Sequence, residues 1–171
     1  ILGIVEQFNS PILVDLFSGS GIVSYLFKTL GRQVITNDYM NMSHTFTKAM
    51  VENNHVILSD EKARSLLIEN YPIDDFVQKK FKDLYFSDNE NLLIDIIRSN
   101  IPKLDNEYEQ AIARSALIRA CMKKRPRGIF TYTGHRYDDG RKDLVLTLKE
   151  HFLIAVESIN QSIFDNGQSN I

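Results

Sequence analysis

The stretch from Pro11 to Asp38 restricts the fold more than any other part of the chain. Pro11-Ile12-Leu13-Val14-Asp15-Leu16-Phe17 is a short apolar run with a proline in front and glycines behind, which predicts a buried strand of a parallel sheet. Ser18-Gly19-Ser20-Gly21 predicts a tight turn. Ile22, Val23, Leu26, Phe27 and Leu30 then recur at helical spacing, and Gly31 stands where a helix ordinarily ends. Gln33 to Asp38 predicts a second strand. A helix that joins two neighbouring strands is a crossover, so the two strands run parallel. The fold class expected from this unit is α/β.

Beyond residue 40 the pattern is helical. Helices are predicted over Met42–Asn53, Asp60–Glu69, Ile73–Phe86, Glu90–Ser99 and Glu107–Met122, and one long amphipathic helix over Asp143–Phe164. Asp74-Asp75 and Asp105 are expected helix starts, because a carboxylate near an N-terminus accepts from free amides. Arg125–Arg141 is polar, aromatic and glycine-containing and reads as an irregular loop or hairpin. Two parallel strands alone do not make a stable sheet, so the expectation is an incomplete piece of a larger α/β domain. The first residue, Ile1 rather than Met, agrees with that expectation. Three regions are expected: 1–55 around the crossover, 56–142 mainly helical, and 143–171 as a long helix with its tail.

The turn after the first strand carries the chemistry. Glycines between a strand and a helix let backbone come close to a ligand, and the free N–H groups of the helix start point at it. Asp38, at the end of the second strand, is placed to accept hydrogen bonds from ribose hydroxyls. The residues thus predict a cofactor containing adenosine. A dinucleotide fingerprint, G-x-G-x-x-G or -A, is met by Gly19-Ser20-Gly21-Ile22-Val23-Ser24 except for Ser24 in the third small position. Asp15 weighs against a pyrophosphate, which it would repel, and in favour of a cationic amino-acid group. A nicotinamide or flavin cofactor, and a bare turn without ligand, remain open at this point.

Asp15-Leu16-Phe17-Ser18-Gly19-Ser20-Gly21 resembles the first motif of DNA methyltransferases. Residues 13–54, including Gly31-Arg32-Gln33-Val34-Ile35-Thr36-Asn37-Asp38-Tyr39, resemble the opening of the Dam-type adenine-specific DNA methyltransferases. Glu150-His151-Phe152 and Asn160–Gly167 resemble, less specifically, the segment before the catalytic motif of that family. The resemblance covers about half of the chain. It implies a partial Rossmann-like class I methyltransferase fold with a large, mainly helical insertion. It also implies S-adenosylmethionine as cofactor, held by Asp15, Phe17, Ser18, Gly19, Gly21, Asn37, Asp38 and Tyr39. DNA is the implied substrate, within a restriction-modification or related system, and a restriction endonuclease is an implied cellular partner.

The catalytic motif of amino-group methyltransferases, Asp/Asn/Ser-Pro-Pro-Tyr/Phe, is absent: the four prolines Pro11, Pro72, Pro102 and Pro126 are never adjacent. No catalytic residue is therefore assigned, and the motif is expected in a missing C-terminal part beyond Ile171. Cytosine carbon-5 chemistry needs a nucleophilic cysteine after a proline, and Cys121, in Arg119-Ala120-Cys121-Met122, reads as a core thiol. No His, Cys or carboxylate spacing predicts a metal site. His44, His55 and His151 read as structural, and Phe76, Phe81, Tyr85 and Phe86 as core rather than a stacking platform.

Charge is distributed unevenly. Lys123–Lys142 holds seven basic and two acidic residues, a net +5, against −7 in the remainder of a chain of net charge −2. A basic patch on an acidic body can seat a polyanion locally. Lys123, Lys124, Arg125 and Arg127 are accordingly expected on one exposed surface together with Arg136 and Arg141, the first four at phosphates and Arg136 with Tyr137 at bases. No apolar run reaches the roughly 20 residues of a membrane span. With a single cysteine and no secretory leader, a cytoplasmic setting is expected. Two alternatives stay open: a non-catalytic module that binds an adenosyl cofactor or DNA, and a fragment of an NAD(P)-dependent oxidoreductase.

Overall fold

The computed structural model describes residue 3, residues 10–125, residue 130 and residues 145–171. The chain divides into two compact units, residues 1–56 with 163–171, and residues 57–162.

In the first unit, strand β1 (Ile12–Asp15), helix α1 (Ile22–Thr29) and strand β2 (Gln33–Thr36) form the expected crossover. The strands pair in parallel, Ile12 with Gln33 through Asp15 with Thr36. Leu13 points to the helix side, where it packs with Val23 and Tyr25 on the buried cluster of Phe27, Val34 and Val51. The opposite face of β1 is open: Ile12 is 45% and Val14 54% exposed. The expectation of a buried strand is corrected here, because among the described residues only the Leu13 face of β1 is packed on the core.

Helix α2 (Asn41–Thr47) runs directly into a π-helical turn, Lys48–Glu52, stopped by Asn53. Asn53 Nδ2 bonds the carbonyls of Ala49 and Val56, while its Oδ1 accepts from the Val56 N–H. Lys28 is buried on α1 and donates to the carbonyls of Met50 (3.2 Å) and Asn53 (2.7 Å), which ties α1 to the end of the π turn. Burial pulls its pKa down to about 8, against an opposing attraction from Asp165.

Residues 163–171 belong to this unit. Asn166 Nδ2 satisfies the carbonyls of Lys28 and Arg32 at the C-terminal end of α1. Ile171 then lies along β2, its N–H donating to Val34 O (3.0 Å) and its carbonyl accepting from Thr36 N. Those two bonds place Ile171 opposite Ile35 in parallel register. The sheet is thus extended at the β2 edge, by a pairing that no pattern in the sequence announces.

The second unit is helical: α3 (Asp60–Ser65), α4 (Phe76–Lys80), α5 (Asp88–Asn100), a 3-10 turn (Ile101–Lys103), α6 (Glu107–Lys124) and α7 (Leu148–Ser162). Helices α6 and α7 form its most extensive packing, with Ala111, Ile112, Ala116 and Ala120 buried on one and Phe152, Val156 and Ile159 on the other. Small residues on α6 leave room for the bulkier row of α7.

Several helix starts differ from expectation. Asn106, not Asp105, caps α6 by accepting from Tyr108 N and Glu109 N. The predicted helix over 73–86 is helical only at Phe76–Lys80. Its N-terminus is capped from another helix: Asp95, buried on α5, accepts from Val77 N and Gln78 N, both at 2.9 Å. Asp83, at φ 59°, lies in the turns that follow. Helix α7 begins at Leu148, where Thr147 and Glu150 exchange the two bonds of a capping box. Among the described residues, no helix is long and apolar enough to cross a membrane.

Candidate cofactor-binding site

The site is built where β1 and β2 end side by side. Asn37 locks the two ends: its N–H donates to Asp15 O (2.8 Å), its amide to Leu16 O (3.0 Å), and its carbonyl accepts from Ser18 N (3.0 Å). Between β1 and α1 the chain turns through Gly19 at φ 53° and Gly21 at φ 76°, in the left-handed region that suits glycine. A Cβ on Gly19 would meet nothing closer than 4.0 Å, so a ligand can approach the backbone there. A Cβ on Gly21 would stand 3.1 Å from Thr47 Cγ2. Gly21 is therefore needed for close packing as well as for backbone geometry.

Asp38 braces this turn. Its Oδ2 accepts from Gly19 N (2.9 Å) and its Oδ1 from Met40 N (2.8 Å). The Met40 and Gly19 amides, with the Ser43 hydroxyl and the Tyr39 amide, hold the carboxyl below the usual aspartate range. The sequence reading has Asp38 facing a ligand; here most of its acceptor capacity is already used in holding the loop. Asp15, half-buried at the end of β1, accepts from Ser24 Oγ at 2.6 Å. Ser18 Oγ is buried without a hydrogen-bond partner among the described residues. Phe17 and Tyr39 flank the turn at 87% and 98% exposure.

This donor set fits an adenosyl cofactor with an amino-acid tail. It offers an aspartate at the strand end, an orphaned hydroxyl, an approachable backbone at Gly19 and two exposed rings. Two residues of the site went unread in the sequence. Ser24 was signalled only as the odd member of the third small position. Thr47 carried no signal, since its contact with Gly21 spans 26 residues and exists only after folding.

The expected basic surface is corrected at two positions. Lys123 is exposed, but Lys124 and Arg125 are 4% and 5% exposed. Lys124 Nζ donates to Leu146 O (2.8 Å) and lies 3.4 Å from Glu90 Oε1. Arg125 donates to Tyr85 O (3.0 Å), and its guanidinium stands 5.5 Å from the centre of the Tyr85 ring. Both cations are held by carbonyls of turns within the same unit, as a buried charge requires. Arg127, Arg136 and Tyr137 lie outside the described residues. Phe76, Phe81, Tyr85 and Phe86 join Phe130 in a chain of ring contacts 5.5–6.0 Å apart. Burial, with Glu90 nearby, pushes the Cys121 thiol up to about 12, so it is no nucleophile at neutral pH.

The sequence matches the family described as D12 class N6 adenine-specific DNA methyltransferase over residues 1–168. The chain belongs to this family. Among curated relatives, the type II methyltransferase M2.HphI of Haemophilus parahaemolyticus is 32% identical over 179 residues, covering 96% of this chain and 53% of that protein. The type II methyltransferase M.NlaIII of Neisseria lactamica is 30% identical over 107 residues, 59% of this chain and 32% of that protein. The chain thus spans about half the length of the first relative, and its matched part covers about a third of the second. No solved structure matches.

Proposed function

We propose that this chain is the cofactor-binding part of a DNA methyltransferase that methylates the N6 amino group of adenine in a restriction-modification system. The family match over residues 1–168 carries this reading. Its region 1–55 is read as part of a Rossmann-like core and 56–142 as a helical insertion contributing to target recognition. When bound, S-adenosylmethionine supplies an electrophilic methyl group on a sulfonium. Asp15 pairs with the ammonium of its amino-acid end. Gly19 would present open backbone, and the Ser18 hydroxyl would find its hydrogen-bond partner in the cofactor. Phe17 and Tyr39 would offer their exposed rings to the adenine, Asn37 and Asp38 hold the strand ends and the loop, and the acceptor capacity that Asp38 retains would go to a ribose hydroxyl. DNA phosphates are met by Lys123 and by Arg127, and bases by Arg136 with Tyr137.

The residues that orient the target amine, and flip the adenine toward the methyl donor, are assigned to a part of the protein outside this chain, which contains no Pro-Pro pair. The protein is read as intracellular, with a restriction endonuclease as cellular partner. Calorimetry tests the cofactor: S-adenosylhomocysteine should bind and NAD should not, and the reverse would return the turn to a nicotinamide enzyme. Radiolabelled methyl transfer tests the division of labour. The 171-residue chain should be inactive on DNA, and the full-length protein should label adenine. Labelling by the chain alone would show the catalytic assignment to be wrong.

A further inference from the structure

The geometry points to Ser24 as a positioning residue for Asp15: its hydroxyl holds one carboxylate oxygen so that the other is presented to the cationic end of the cofactor. This rests on the reading of the turn as a site for S-adenosylmethionine. Ser24 lies in the first turn of α1 and is fully buried. Its Oγ is 2.6 Å from Asp15 Oδ2, the length of a charge-assisted hydroxyl–carboxylate bond. A hydroxyl has one proton to give, and here it goes to the last side chain of β1.

The placement has a consequence for ligand binding. A half-buried aspartate at a strand end otherwise samples several rotamers. Fixing Oδ2 from the helix sets the direction of Oδ1, and an ion pair with an ammonium gains from such preorganisation. In a dinucleotide turn the third small residue only makes room for helix–strand packing. Here the same position adds a donor, and it acts on the one acidic group of the turn that a pyrophosphate would avoid.

The experiment compares two ligands in the full-length protein. S-adenosylhomocysteine carries the amino-acid end; 5′-methylthioadenosine has the same adenosine and sulfur without it. Ser24→Ala and Asp15→Asn should each weaken S-adenosylhomocysteine roughly tenfold, the scale of one charge-assisted bond, and leave methylthioadenosine unchanged. Ser24→Thr should restore wild-type affinity, and the Ser24→Ala, Asp15→Asn pair should bind no worse than Asp15→Asn alone. Ser24→Cys, of similar size but a weak donor, replaces Ser24→Ala if that variant fails to fold. Equal weakening of both ligands by Ser24→Ala would assign Ser24 to packing and overturn the inference. So would an unchanged affinity for S-adenosylhomocysteine in a protein where Asp15→Asn still discriminates. Failure of the unmodified protein to bind either ligand would instead overturn the reading of the site itself.

Discussion

Gly21→Ala isolates two costs that the turn combines. At φ 76° an alanine takes on left-handed strain of about 1–2 kcal/mol. Its stiffer unfolded chain returns somewhat less than about 1 kcal/mol of that. The new Cβ also sits 3.1 Å from Thr47 Cγ2, too close by a few tenths of an ångström, on a threonine that is only 2% exposed. Overpacking at one methyl of a buried side chain adds about 1 kcal/mol. The net destabilisation should be about 2 kcal/mol, or about 4–8 °C in Tm for a chain of this size. Thr47→Ser removes the offending methyl and should itself cost about 1 kcal/mol. In that background Gly21→Ala should cost about 1 kcal/mol less than in the parent. Gly19→Ala is the control: it carries φ strain with no neighbour inside 4.0 Å, so Thr47→Ser should not change its cost. Urea titrations of the single and double variants measure all four corners of each cycle. Equal costs of Gly21→Ala in both backgrounds would refute the packing half of the reasoning, and a neutral Gly21→Ala would refute both halves.

Arg125→Ala should destabilise the protein by about 2 kcal/mol, because it strands the Tyr85 carbonyl and removes a buried charge-assisted bond. It should leave the salt dependence of DNA binding unaltered, whereas Lys123→Ala should lower the slope of log affinity against log salt by about 0.9; anisotropy titrations at two salt concentrations separate the two residues. Lys28 gives a pH signature. Its folded pKa, about 8, lies below the ordinary 10.5, so between these values the unfolded chain holds the proton that the folded chain has lost. Its contribution to stability should therefore rise from pH 8 to pH 10.5. The stability difference between the parent and Lys28→Met, followed by urea titration, should show that rise, and a flat difference would refute it.

What could be read from the sequence was the local chemistry. The crossover over residues 11–38, its parallel strands and its two glycines follow from short-range rules: an apolar run, a turn, a helical period and a second run, each set by neighbours a few residues away. The aspartates at both strand ends were legible for the same reason. Their partners were not, because partners come from distant parts of the chain. Asp38 faced a ligand in the sequence, but folding brings the Gly19 amide to its carboxylate. Lys124 and Arg125 looked like a surface for phosphates, since side-chain type speaks for charge and not for what packs over it. Only the fold sets Glu90 and the carbonyls of Leu146 and Tyr85 within reach and so allows burial of both cations. Asp95 capping α4 from another helix, Thr47 closing on Gly21 and Ile171 pairing with Ile35 belong to the same class. The sequence by itself determined the turn and its charges; the tertiary structure decided which groups of the chain those charges bond. The reason is physical: backbone conformation is a property of neighbours in sequence, whereas desolvation and hydrogen-bond partnership are properties of neighbours in space.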